Sequence, residues 1–503
     1  MRNEAIFLPV VLFVLTVISR IPFTSKYLYH MDSVQFALAL DEFDVTIHQP
    51  HPPGYFLYVM IGRFLNSFIS DANMVFVTIS IIFSGLTVVA IYFLGKELYD
   101  RITALLAAIL IITSPSFWFH GEVALSYTVE AFFSCLIGLL CWKIYKGQEN
   151  LLFFSAAILA VAGGIRQNTP VFLFPLLFFS VKDIPYRRKL AALAVFILLS
   201  LCWFIPMVYM TGGTYKYFSA LRELWSIAGT SNSVLKNGWD AFRQYADVIF
   251  SYVTYCIGGG IVILSFSFYY VLRNRKFKSL KSVRTCFLLL WALPVLFFHI
   301  LVTPGIPGHM LIILPPLALL VARAITFIGN EVNTLVNRNI SISVSLTLVV
   351  INLYIFFIMK YPVSYSEIRA HDINLPTVLN TIKKSDPSTT VLLLDYNYRF
   401  FSFAHIRYYL PSYMICEPKK VSDNTVGKGK FFAWMDGKTF IIDKIVLPDK
   451  ITRFATLIRS VDLLPTCCSD INVKISQPIP EYYFVSGPIS LVNKVYPGSR
   501  TVE

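Results

Sequence analysis

The sequence predicts an all-α polytopic membrane domain followed by a small α/β soluble domain. Three observations carry that prediction. The 503 residues are 56% hydrophobic and only 14% charged, with a mean hydropathy of +0.63, whereas in soluble domains about a quarter of residues are charged. The apolar residues collect into runs of membrane length. After residue 361 the runs stop, and short helical and strand patterns replace them.

The runs fall near 5–23, 74–95, 102–119, 126–145, 151–165, 168–182, 189–211, 247–272, 285–303, 308–328 and 340–360. At ~20 residues per crossing they read as about eleven transmembrane helices. Two of them, 151–165 and 168–182, are short and read as a tilted or partial hairpin. The first run lacks a small-residue cleavage site and reads as an uncleaved span. The stretch 54–69 is apolar but carries Arg63 and Asn66 and follows Pro52-Pro53-Gly54, so it reads as a juxtamembrane helix lying at the interface.

Charge sets the orientation. With the N-terminus cytoplasmic, the inside loops hold Lys96/Arg101, Lys143/Lys146, Lys182/Arg187/Arg188/Lys189 and the cluster Arg273/Arg275/Lys276/Lys278/Lys281/Arg284, as the positive-inside rule requires. Counting 54–69 as a span would put those clusters outside. The same bias accounts for the formal net charge of +14 without a nucleic-acid partner. The chain is then a multi-pass protein of the plasma (inner) membrane. The loop 24–73, the 120–125 turn, Arg166, the 212–246 loop, the Thr303–His309 turn and everything after Tyr361 lie on its outer side. All eight histidines (His30, His48, His51, His120, His299, His309, His371, His405) fall on or near that side.

Two domains follow: a membrane domain over 1–360, with 24–73 as its outer catalytic loop, and an outward-facing α/β domain over 361–503. In the latter, Leu375–Ser385 and Arg399–Tyr409 read as helices. Thr390–Asp395 reads as a buried strand, and Phe440–Val446, Ile471–Ile475 and Tyr482–Val485 as short strands. No repeat or low-complexity tract occurs. Eight cysteines are scattered without metal-ligand spacing, and the adjacent Cys467-Cys468 would strain a mutual disulfide. There is no P-loop, Rossmann glycine fingerprint or zinc signature, which argues against nucleotide hydrolysis and cytosolic nucleotide-sugar chemistry.

Chemistry has few places to sit. Asp32 follows the first span, beside His30 and Ser33. It reads either as a helix cap or as a general base able to take a proton from an acceptor hydroxyl. His51-Pro52-Pro53-Gly54-Tyr55 launches the interfacial helix, and its histidine can serve as a ligand or phosphate contact. In Gly121–Glu130, Glu122 can be solvated, whereas Glu130 falls inside an apolar helix, where a carboxylate needs a partner. Tyr127 shares its helical face. Arg166, after Gly163-Gly164, reads either as a side chain snorkelling to the interface or as a partner for Glu130 or for an anionic substrate. His309 opens a late span as a plain turn residue or a phosphate contact. In the 212–246 loop, Arg222 and Arg243 lie among aromatics, as in a solvated loop or a lid over a sugar or lipid phosphate.

Together these residues resemble the C-type superfamily (GT-C) of membrane glycosyltransferases, in particular the group of protein O-mannosyltransferases and the lipid A aminoarabinose transferase. The resemblance rests on Asp32 after the first span, His51-Pro52-Pro53, Gly121-Glu122 to Glu130, Gly163-Gly164-Ile165-Arg166, and Gly308-His309 running to Leu314-Pro315-Pro316. In order and spacing it covers roughly the first 330 residues. It implies an inverting transfer at the outer face, from a polyprenyl-phosphate sugar donor to a lipid, glycan or protein acceptor among membrane lipids. Asp32 matches the family's loop aspartate, the base. Glu122 and Glu130 match the acids of the second outer junction. Arg166 and His309 fall where donor phosphate contacts are expected. The protein mannosyltransferases have adjacent acids where this chain has Asp32-Ser33, which leaves the acceptor open. Some relatives place a divalent metal near this loop; Mg or Mn stays open, with Asp32 as its candidate ligand. The rival reading is a transporter or flippase of lipid-linked sugars. It predicts polar residues deep in several spans and repeat symmetry, whereas these spans are nearly clean.

Overall fold

The computed structural model describes residues 2–225, 233–275, 281–332, 340–394, 401–418, 431–435, 438–442, 447–458, 474–479 and 482–489. They form two compact units: Met1–Ser25 with Pro52–Ile368, and Lys26–His51 with Arg369–Glu503. The mostly helical chain with a small mixed sheet near its C-terminus is the fold class that the sequence predicts.

In the first unit an apolar helix stands at each expected run: Arg2–Arg20, Ala72–Leu98, Arg101–Thr113 with Pro115–Gly121, Tyr127–Tyr145, Leu151–Ile165, Thr169–Ser180, Tyr186–Met210, Val234–Ile257 with Gly260–Arg273, Val283–Leu301, Pro307–Ile313 continuing into Leu314–Val332, and Ile340–Phe357. Among the described residues, six helices are individually long and apolar enough to cross a membrane, and two bent pairs pass the same test together. Phe56–Asn66 is a short separate helix, where the sequence places the interfacial one.

Three expectations are corrected. The run 102–119 is not straight: it bends by 61° where Ser114 ends one helix and Pro115 starts the next. Ser114 Oγ accepts the Phe117 N–H at 3.3 Å and donates to the Cys256 carbonyl at 2.6 Å, so it caps the new start. The run 247–272 turns by 103°. Gly258 there takes φ +53° against Asn352, whose Oδ1 accepts the Gly259 N–H at 3.2 Å. The stretch 212–246 is not a loop. It holds the helix Thr214–Trp225 and the first turns of Val234–Ile257, and its middle lies outside the described residues. Both pieces are amphipathic, so a reading for apolar runs passes over them: Tyr217 is buried while Lys216 and Arg222 are exposed.

The core of this unit closes on a fully buried Trp291. Its indole Nε1 donates to Ser134 Oγ at 2.8 Å, and that hydroxyl donates to the Ile312 carbonyl at 2.7 Å. Gly138 leaves the space that the ring fills, and a Cβ there would overlap the indole. Gly138→Ala should therefore cost about 1–3 kcal/mol by overpacking. The check is a lowered thermal midpoint of the purified protein, partly recovered when Trp291→Phe is added.

The second unit joins two distant pieces of sequence. Its sheet has the order β4-β3-β2-β1-β5-β7-β6, from β1 (Thr390–Leu393), β2 (Met414–Pro418), β3 (Phe431–Met435), β4 (Lys438–Ile442), β5 (Arg453–Ile458), β6 (Lys474–Ile479) and β7 (Tyr482–Pro488). Strand β1 is central and parallel to β2 and β5; the remaining pairs are antiparallel. Of these, β2, β3 and β5 are not among the strands expected from sequence. The helices Tyr365–Ile382 and Phe403–Tyr409 contribute Leu375, Val378, Ile382 and Ile406 to a core with Leu392, Ile415, Leu457 and Tyr482. The expected starts at Leu375 and Arg399 differ. Pro376 is carried inside the first helix, which begins ten residues earlier, and Arg399 lies outside the described residues. Strand β4 overlaps the expected Phe440–Val446, whose last four residues are likewise outside, as are Ile471–Val473 of the expected Ile471–Ile475. Lys26–His51 supplies the helix Met31–Asp41.

Candidate functional site

In the second unit the residue before the helix Met31–Asp41 is its cap. His30 is extended (φ −113°, ψ 157°), its Nδ1 accepts the Asp32 N–H at 3.2 Å, and Ser33 Oγ accepts the His30 N–H at 3.3 Å. Asp32 is thus not the cap. Its carboxylate stands in the first helical turn, where the helix dipole favours negative charge. Two imidazoles flank it: His30 Nδ1 is 3.5 Å from Oδ2, and His51 Nδ1 is 3.7 Å from Oδ1. The side chain is 14% exposed, open enough for a hydroxyl to reach and shielded enough to strengthen charge effects. Burial opposes a charge on His30, but the Asp32 carboxylate outweighs it and raises the imidazole above its ordinary value.

Behind this turn lie two further histidines of the same unit. His405 Nε2 is 2.9 Å from the Leu28 carbonyl, while its Nδ1 accepts the Ser402 N–H at 3.1 Å. That fixes the neutral Nε2–H tautomer. The His371 ring lies tilted against Tyr29 at 4.9 Å and against His405 at 5.9 Å, with its Nδ1 3.9 Å from Asp372 Oδ1. Burial pushes His405 down to about 3, helped by His371 and His30 and opposed by the Leu28 carbonyl. His371 is lowered for the same first reason, against Asp372.

These shifts carry a sign. An unfolded histidine takes a proton near pH 6.5 and a folded, depressed one does not, so each contributes stability that is lost as pH falls below about 6.5, at ~1.4 kcal/mol per unit. His30 acts oppositely: its contribution is full below that pH and fades as pH rises through its raised folded value. His405, pushed down to about 3, carries the largest of these effects. Between pH 7 and pH 5 the second unit should lose stability, read as a falling unfolding midpoint, and the fall should be shallower in His405→Gln.

In the first unit the helix Tyr127–Tyr145 and the turn after Leu151–Ile165 bring an acid and a base together. Arg166 Nε lies 3.0 Å from Glu130 Oε2, and both side chains are almost fully buried. Thr169 Oγ1 donates to Glu130 Oε1 at 3.0 Å, and Arg166 Nη1 donates to Ser126 Oγ at 3.0 Å. The guanidinium lies over Tyr127 at 4.4 Å and Tyr55 at 5.3 Å. From Tyr127 an aromatic chain runs on: His120 at 5.1 Å, His309 at 5.5 Å, and His299 stacked on His309 at 5.2 Å. Gly308 permits this approach, since a Cβ there would stand 2.7 Å from His120 Nε2. The carbonyl of Pro53 accepts from Gln167 Nε2 at 3.3 Å and from Tyr217 OH at 3.1 Å, which ties down the segment bearing Tyr55.

The structure thus brings Glu130, Arg166, Tyr127 and His309 into one cluster and Asp32 with His51 into another. Glu122 belongs to neither. It is fully buried rather than solvated, accepts from Trp118 Nε1, and shares that indole with Arg20, whose guanidinium lies 3.9 Å over the ring. Arg222 lines a surface hollow with Tyr215 and Phe218, and Arg243 lies 5.6 Å over Trp239; both are exposed. Tyr55, Ser126, Thr169, His120 and His299 join the cluster without having been assigned a role from sequence. The outward position expected for the two histidines is their one signal in the sequence. Among the described residues no three His, Cys, Asp or Glu side chains gather as metal ligands.

The chain is a multi-pass membrane protein. Residues 42–185 match the family described as the N-terminal domain of protein O-mannosyl-transferase TMEM260. Over its length the chain is similar to ArnT from Cupriavidus metallidurans, solved bound to undecaprenyl phosphate. Identity is 11% and the TM-score 0.58, with 98% of this chain and 99% of that one covered. The apo form of the same protein gives 11% and 0.55, covering 97% and 99%. The Archaeoglobus fulgidus oligosaccharyltransferase, solved with Zn and sulfate, gives 14% and 0.47, covering 80% of this chain and 61% of its own. No curated protein matches the chain.

Proposed function

We propose that the protein is an inverting glycosyltransferase. It takes a sugar from a polyprenyl-phosphate donor at the outer face of the plasma membrane and passes it to a lipid, glycan or protein acceptor. The observation that carries this reading is the Asp32 carboxylate, held in a helical first turn between two imidazoles and still reachable from solvent. The acceptor hydroxyl loses its proton to Asp32 as its oxygen attacks the anomeric carbon. The bond from that carbon to the phosphate oxygen breaks with its electron pair, and polyprenyl phosphate leaves with the sugar's configuration inverted.

The leaving phosphate gains charge in a site from which water is largely excluded, and Arg166 and His309 are the groups suited to receive it. Glu130 and Thr169 orient the guanidinium, which lies over the buried rings of Tyr127 and Tyr55. Glu122 has a structural part here, beside Arg20 and Trp118. The family match over 42–185 and the ArnT-like fold support the reading. The test is reconstitution of the native chain in vesicles with a labelled polyprenyl-phosphate sugar. Label moving to a product, with polyprenyl phosphate released in equal amount, is the expected result. Label crossing the bilayer with its donor bond intact would replace this reading by lipid-linked sugar transport.

A further inference from the structure

In the second unit, besides packing on the helix that bears Asp32, the C-terminal piece holds the four residues that lead into it. Each backbone group it takes hold of there is met by a side chain. Asp372 Oδ1 accepts the Lys26 N–H at 3.0 Å, the Tyr409 hydroxyl accepts the Leu28 N–H at 3.0 Å, and His405 Nε2–H donates to the Leu28 carbonyl at 2.9 Å. Two ring contacts back them, Tyr27 on Tyr409 at 5.9 Å and Tyr29 on His371 at 4.9 Å. Leu28 and His405 are almost fully buried, so these bonds are not shared with water. The partners come from the two helices Tyr365–Ile382 and Phe403–Tyr409, which are anchored in the core of the sheet.

We propose that His405, with Asp372 and Tyr409, acts as a positioning group that clamps Lys26–Tyr29 and so fixes the aim of the Asp32 carboxylate. The inference rests on Asp32 being the base of the transfer reaction. Chain geometry makes the link: two residues after the clamped Leu28, His30 caps the helix, and the cap sets where the first turn points. A clamp at that point controls the direction of the carboxylate, whereas donor binding draws on other side chains. Small misplacements of a catalytic group are costly: about 1 Å is enough for a hundredfold loss.

His405 is the informative position because its two nitrogens do different work. Gln can reach the Leu28 carbonyl with its amide N–H and keep the clamp. Phe keeps the ring and loses the hydrogen bonds. The full-length protein in detergent is followed in two ways: amide exchange of the peptide spanning Lys26–Asp41, and steady-state transfer from a polyprenyl-phosphate sugar. His405→Phe should speed exchange across that peptide by about tenfold or more and lower kcat by about tenfold or more while donor KM stays within about twofold. His405→Gln should restore both. Unchanged exchange in His405→Phe overturns the clamp whatever the activity. Faster exchange with native kcat overturns its link to the base, as does a loss that Gln fails to rescue. Absence of transfer by the native protein with every donor, alongside altered exchange, removes the glycosyltransferase reading instead and leaves the clamp as a contact without that role.

Discussion

Asp32→Asn should lower sugar transfer by about 10²–10⁴-fold, the usual contribution of a positioned general base, and leave the fold intact. Asparagine is isosteric. The bonds that define this helix start run through the Asp32 backbone N–H, His30 and Ser33, none of which the substitution removes. The loss therefore falls on kcat, with donor binding retained. Transfer within about threefold of native at equal expression would remove Asp32 from the chemical step and leave the His30/His51 environment without a catalytic reading.

The buried pair gives the second large effect. Glu130→Gln leaves the Arg166 guanidinium without its counter-charge in a site almost closed to water, and Arg166→Met does the converse to the carboxylate. Each single change should cost about 3–5 kcal/mol of stability. The double variant Glu130→Gln/Arg166→Met removes both charges and should return most of that stability, because a buried ion pair replaced as a unit costs little. Its transfer activity should not return, since the leaving phosphate has lost its cation. A double variant that is both stable and active would show that the pair is structural and that charge stabilisation comes from elsewhere.

What the sequence discloses here follows from which forces are local. The helices of the first unit are legible because crossing hydrocarbon demands long apolar runs, and these stand in the sequence without reference to any partner. Their bends are not legible, since hydropathy does not change across Ser114-Pro115 or Gly258-Gly259; the break depends on a capping hydroxyl and on Asn352, far along the chain. Glu130 announces itself because an acid inside an apolar helix needs a counter-charge, and Arg166 follows. Glu122 gives the opposite signal: at a turn it looks solvated, and only Trp118 and Arg20, folded over it, bury it. The helix Thr214–Trp225 hides in what reads as a polar loop, because most of its residues are exposed and Tyr217 alone among them is buried. The contact between His405 and Leu28 joins residues 377 apart, and neither neighbourhood carries a pattern that names the other.

One feature of the second unit bears on how the chain is made. Lys26–His51 emerges from the ribosome right after the first span, yet the residues that complete its unit begin only at Arg369. At about 5–20 residues per second, the delay is on the order of tens of seconds. Through that interval the Leu28 backbone lacks its His405 and Tyr409 partners, and the other apolar helices are being made. A chain interrupted before Arg369 would carry the candidate base on a segment whose helix cap is present but whose His405, Asp372 and Tyr409 partners are not. Activity would switch on only once translation is complete, so incomplete chains would stay silent toward the donor. In a membrane full of nascent protein, the order of synthesis itself then guards against premature transfer.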